Sequence, residues 1–116
     1  MANEIKQRVI QEHVPGKQVT LAHLIASPQK GIYLSLGLDK NAGEALGVLT
    51  ITPSEGVIIA ADIATKAAAV EVGFLDRLGG SLLVLGDVAS VEAALAAVTD
   101  YFANTLRYAC EAITRS

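Results

Sequence analysis

The chain has 116 residues, a formal net charge of −3, and a composition that is 52% hydrophobic, 4% aromatic and 18% charged. A chain of this mass removes roughly 65% of its extended surface from water on folding, which suffices for one core and excludes both a disordered tail and two domains. Between residues 41 and 105 the only basic residues are Lys66 and Arg77, against eight carboxylates, so the clustered cations that a nucleic acid requires are missing.

The opening MANEIKQRVIQEHVPGKQ is polar and has no apolar stretch of the kind a signal peptide needs. Residues 18 to 25 alternate Val19, Leu21, His23 and Ile25 against Thr20, Ala22 and Leu24, which predicts a first strand. Ser27 and Pro28 predict a helix N-cap with proline at the first helical position, and Gly37 stops that short helix near Leu36. Asp39, Lys40, Asn41 and Gly43 predict a turn, and ALGVLTIT (45 to 52) predicts a strand buried on both faces. Thr52, Pro53, Ser54 and Glu55 have the pattern of a capping box, predicting a helix from Pro53 to about Ala69. Its small-residue stripe is Val57, Ala60, Ala61, Ala64 and Ala68; Glu55, Asp62 and Lys66 mark the wetter side.

Residues 70 to 77 and 81 to 86 predict a hairpin turning through Leu78, Gly79 and Gly80. Asp87 then caps a helix over residues 88 to 109, with Val91, Ala94, Leu95, Val98, Phe102 and Leu106 at helical spacing; beyond it the tail has no clear period. The order matches a βαββαβ ferredoxin-like unit whose last strand has moved to the front. The expected class is therefore α+β, an α/β sandwich with a circular permutation.

Chemistry-bearing residues are few. Cys110 is the only cysteine, which excludes an intrachain disulfide or a multi-cysteine zinc site and fits a reducing compartment. Trp is absent, 19 residues are alanine, and no uncharged apolar run reaches the ~18 residues of a membrane span. His23 reads as a structural or interface hydrogen-bonding residue in preference to a ligand, and Cys110 as a small buried hydrophobe. Ser54 and Ser81 lie in a cap and a turn, not in a nucleophile elbow, and Asp62 with Lys66 is an i,i+4 ion pair. The loop DRLGGS lacks both the G-x-G-x-x-G and the G-x-x-x-x-G-K-[ST] patterns. One copy is a plain hairpin turn; six copies around an axis would form a ring of N–H donors and positive charge.

The stretches IQEHVPGKQVTLAHLIASP (10 to 28), LGVLTITPSE (46 to 55), DIATKAAAVEVGFLDR (62 to 77) and LLVLGDVASVEAAL (82 to 95) resemble the circularly permuted BMC-domain shell proteins of bacterial microcompartments. The similarity is to the single-domain hexamers of the ethanolamine- and propanediol-utilisation type. It implies a structural tile with no enzymatic activity, cofactor or metal. Its homohexamers pack edge to edge with other shell proteins in the bacterial cytoplasm, with encapsulated enzymes as a further candidate partner and no role for nucleic acid or membrane. The shell of such proteins retains a volatile or toxic aldehyde.

Carried onto this chain, Arg77, Leu78, Gly79, Gly80 and Ser81 would line the six-fold pore, and Lys66 would make the hexamer-edge contact. Val9, Ile10, Gln11, Glu12, His13, Val14 and Pro15 would give one strand of a six-stranded barrel capping the pore. The implied division is an arm, 1–16, and a permuted domain, 17–116. Val9, Gln11 and His13 alternate with Ile10, Glu12 and Val14, and closing such strands around an axis removes their free edges. Ile25, Ala26, Ser27 and Pro28 lack the arginine that commonly completes the edge contact in these hexamers. Two other readings are a ferredoxin-like regulatory domain holding a small anion at the glycine loop, and a small enzyme working through His23 or Cys110.

Overall fold

The computed structural model describes residues 16–38 and 43–116, and among them nine elements follow one another, seven of them expected from the alternating and helical periodicities. They are β1 (Gln18–Ala26), α1 (Lys30–Ser35), β2 (Ala45–Thr52), α2 (Gly56–Ala67), β3 (Glu71–Asp76), β4 (Ser81–Gly86), α3 (Val88–Asn104), β5 (Ala109–Cys110) and β6 (Thr114–Arg115). The class is α+β, as expected. The sheet order is β3-β4-β2-β1-β5, with β6 also on β1. Neighbours among β1 to β4 are antiparallel, while β5 and β6 run parallel to β1. The unit β2–α2–β3 thus leaves a place that β4 fills, and the return from β4 through α3 reaches the far side of β2, where β1 stands.

Both long helices pack on one face of this sheet. Val19, Ala22 and Leu24 of β1, Leu49 and Ile51 of β2, and Leu82 and Val84 of β4 meet Val57, Ala60 and Ala64 of α2 and Val91, Ala94, Leu95, Val98 and Phe102 of α3. The opposite face carries a smaller cluster in which Tyr33 seats α1 against Leu46, Leu83 and Leu85. Gly47 sets how near α3 can come: a Cβ there would lie 2.8 Å from Val91 Cγ1, 2.9 Å from Val84 Cγ2 and 3.3 Å from Leu95 Cδ2.

Several boundaries differ from the sequence expectation. In β1 the register slips between Val19 and Leu21, so Val19 joins Ala22 and Leu24 on the helix face, not Leu21, His23 and Ile25. One bulged residue reverses the alternation. The short helix starts at Lys30, and Ser27 does not cap it: Ser27 takes φ 51° and its N–H donates to Glu44 O. Gly37 does end the helix, at φ 77°, with Leu38 N–H donating to Tyr33 O and Gly37 N–H to Leu34 O, the paired bonds of a Schellman cap.

At α2 the expected capping box does not form, because Thr52 still pairs with Gln18 in the sheet. Residues 53 to 55 make i→i+3 bonds before regular helix begins at Gly56, and the helix ends at Ala67 instead of Ala69. Asp87 caps α3 as expected, its carboxylate accepting from Ser90 N–H at 2.7 Å. That helix stops at Asn104, and Arg107, at φ 64°, turns the chain so that Ala109 N–H donates to Lys17 O. The aperiodic tail contributes β5 and β6.

Candidate functional site

The loop joining β3 to β4 is held by its first residue. Asp76 Oδ1 accepts from Leu78 N–H at 3.0 Å and from Gly79 N–H at 2.9 Å, and the Asp76 carbonyl accepts from Gly80 N–H at 2.8 Å. An Asp accepting from N–H groups two and three residues ahead stabilises a tight turn. Gly80 ties this turn to the scaffold: its carbonyl accepts from Ile51 N–H at 2.8 Å. It is buried at φ 83°, and a Cβ on it would strike the Ile51 carbonyl and press on Ser54. What remains outward is Arg77 and Leu78, the latter 84% exposed.

Sequence reading grouped Arg77 to Ser81, and the structure brings them together at one loop. It missed Asp76, whose D-x-x-G spacing was the available signal. The loop also differs from a ring of N–H donors, since three consecutive tip donors point inward. An anion held by those groups, as the regulatory-domain reading requires, would have to displace Asp76.

Lys66 stands elsewhere. Gly80 abuts the approach to α2 at Ser54, whereas Lys66 lies ten residues beyond Gly56, roughly 15 Å along the axis at 1.5 Å per residue. Its Nζ is 3.0 Å from Asp62 Oδ2, with both side chains well exposed. Residues 9–15, expected to form the barrel, lie outside the described residues.

The two candidate nucleophiles have structural partners. His23 Nδ1 is 2.6 Å from Thr114 Oγ1 and Nε2 is 2.8 Å from Ser116 Oγ, so the ring fastens the tail strand to β1. Cys110 is half-buried on β5 with Sγ 3.7 Å from Thr99 O, and burial pushes its thiol above the ordinary range. A raised thiol is a poor nucleophile at neutral pH. Among the described residues no three His, Cys, Asp or Glu side chains come together as a metal-ligand group, and no helix is long and apolar enough to cross a membrane.

Residues 45–114, more than half the chain, match the BMC domain. The chain belongs to the BMC-domain family of bacterial microcompartment shell proteins. It is 56% identical over 109 residues to the bacterial microcompartment shell protein PduU of Salmonella typhimurium, covering 94% of this chain and 93% of that one. To the shell protein EutS of Escherichia coli it is 48% identical over 111 residues, covering 96% and 98%. Among solved structures, the CutR flat hexamer matches with a TM-score of 0.84 at 48% identity, over 94% of this BMC-domain chain and 99% of that chain.

Proposed function

We propose that this shell protein forms a cyclic homohexamer that tiles a microcompartment shell in the bacterial cytoplasm, acting as a structural barrier and not as an enzyme. The observation that carries the proposal is its likeness over nearly its whole length to a chain that forms a flat hexamer. Six Arg77–Ser81 loops surround a central aperture, and Lys66 meets neighbouring hexamers at the rim. The separation of these two features to opposite ends of α2 supports that division.

Exposed apolar residues on the helices, Ile58, Ile59 and Tyr101, suit burial against other copies. The family match begins at Ala45, behind β1 in the chain although β1 completes the sheet, which supports a circular permutation of the domain 17–116. Residues 1–16 form the arm, in which six copies of residues 9–15 close a barrel over the aperture. The capped shell thereby limits escape of small metabolites such as an aldehyde.

Deleting residues 1–16 tests this. The truncated chain should still give six-fold rings by electron microscopy, now with an open centre. Rings whose centre is unchanged would refute the cap, and failure to form rings, with the full chain forming them, would make the arm part of the assembly and not a lid.

A further inference from the structure

The tip of the β3–β4 loop offers an approaching solute three kinds of group: backbone N–H donors, the guanidinium of Arg77 and the apolar side chain of Leu78. Which of them face outward decides what the loop can recognise. Glycine-rich turns commonly present consecutive N–H groups to an anion. Here the Leu78 and Gly79 donors are both taken by the Asp76 carboxylate at 3.0 and 2.9 Å, and the Gly80 donor by the Asp76 carbonyl at 2.8 Å. Asp76 and Arg77 are adjacent in the chain and carry opposite formal charges. Leu78, by contrast, buries almost nothing within its own chain.

We propose that Asp76 is the positioning residue that makes the tip of this loop apolar, so that the aperture favours small uncharged molecules over inorganic anions. The inference rests on the central placement of the loop given under Proposed function. Six Leu78 side chains at a constriction would disfavour hydrated ions, because an ion entering there sheds water without receiving backbone N–H donors in exchange. Each Asp76 and Arg77 pair is neutral overall, so the ring gains no net positive charge to offset that loss. Asp76 acts through the turn it holds and need not touch the passing molecule.

Hydrogen exchange of the full-length hexamer, read at residues 77–80, tests the loop directly. The Leu78 and Gly79 amides should be protected, and Asp76→Ala should speed their exchange by about tenfold or more, the loss expected for a hydrogen bond to a charged acceptor. Asp76→Asn, which keeps an acceptor oxygen, should change it only a few-fold. Titration with sodium sulfate, followed by amide chemical shifts, should give no saturable response at residues 78–80 in the parent and a saturable one in Asp76→Ala. Parent amides that exchange as fast as those of Asp76→Ala, or that saturate with sulfate, overturn the proposal.

A separate measurement tests the placement. Leu78→Cys, in a Cys110→Ala background, should be joined between protomers by a short bismaleimide. Protected amides without such cross-links would sink the aperture placement while leaving the loop geometry standing. Cross-links with unprotected amides would sink the role of Asp76 while leaving the placement intact.

Discussion

Replacing Gly47 by alanine tests whether the approach of α3 to the sheet is as tight as the packing indicates. The new Cβ would sit 2.8 Å from Val91 Cγ1, 2.9 Å from Val84 Cγ2 and 3.3 Å from Leu95 Cδ2, where carbon atoms ordinarily stand about 3.5–4.0 Å apart. Leu95 can turn a terminal methyl aside. Val84 and Val91 are stiff at χ1 and fully buried, so relief must come from moving β4 or α3. Forcing an extra methyl into a filled core costs about 1–3 kcal/mol, and the reduced entropy of the unfolded alanine chain offsets about 0.4–1 kcal/mol. A net loss of about 1–2 kcal/mol is expected.

Val91→Ala alone opens a cavity and costs about 1–3 kcal/mol. In Gly47→Ala/Val91→Ala the added methyl occupies part of the vacated space, so the two losses should fall short of their sum by about 1 kcal/mol. Thermal unfolding of the four proteins at one fixed protein concentration reads this, since an oligomer's Tm depends on concentration. A Gly47→Ala protein that melts with the parent, or losses that simply add, would show that the sheet and helix are separated by slack.

Two shorter tests address the cap and the rim. The Ser90 N–H holds the Asp87 carboxyl below its ordinary range; with the folded value lowered, its stabilisation is complete above the ordinary aspartate value of about 3.9 and is lost as pH falls through the folded value. Asp87→Asn, which retains a capping oxygen, should flatten that acid limb in a Tm-against-pH series, whereas Asp87→Ala should lower Tm at neutral pH as well; an unchanged acid limb in Asp87→Asn would refute the assignment. Lys66→Ala removes one exposed i,i+4 pair, worth about 0.3–0.5 kcal/mol, so hexamers should survive by size-exclusion chromatography while extended sheets disappear from micrographs. Intact sheets would remove Lys66 from the rim.

Features governed by near neighbours in the chain were legible from residue types. Asp87 as a cap, Gly37 as a helix stop and the Gly79–Gly80 turn each depend on a backbone requirement that a few adjacent residues satisfy. Features decided across the sheet were not. Thr52 has the chemistry of a cap, but its pairing with Gln18 commits it to β2, and the bulge after Val19 inverts a face that strict alternation predicts. Two-residue strands such as β5 and β6 are too short to carry a period, so their pairing with β1 was invisible until the turn at Arg107 and the His23 contacts to Thr114 and Ser116 placed them. At the loop, the glycines and Arg77 drew attention to the segment, while the inward direction of its N–H groups rests on Asp76, for which the D-x-x-G spacing was the one local signal.

The way that loop is mounted also separates fixed positions from free ones. Asp76, Gly79 and Gly80 are committed to the turn and to its anchor on Ile51, but the side chains of Arg77 and Leu78 are exposed. Residues 77 and 78 therefore form a two-position cassette on a rigid bracket. With the loops placed around the aperture as proposed, a protein engineer wishing to retune what a shell admits has a natural library there, in which charge, size and polarity can be exchanged at the tip while the framework carrying it stays the same.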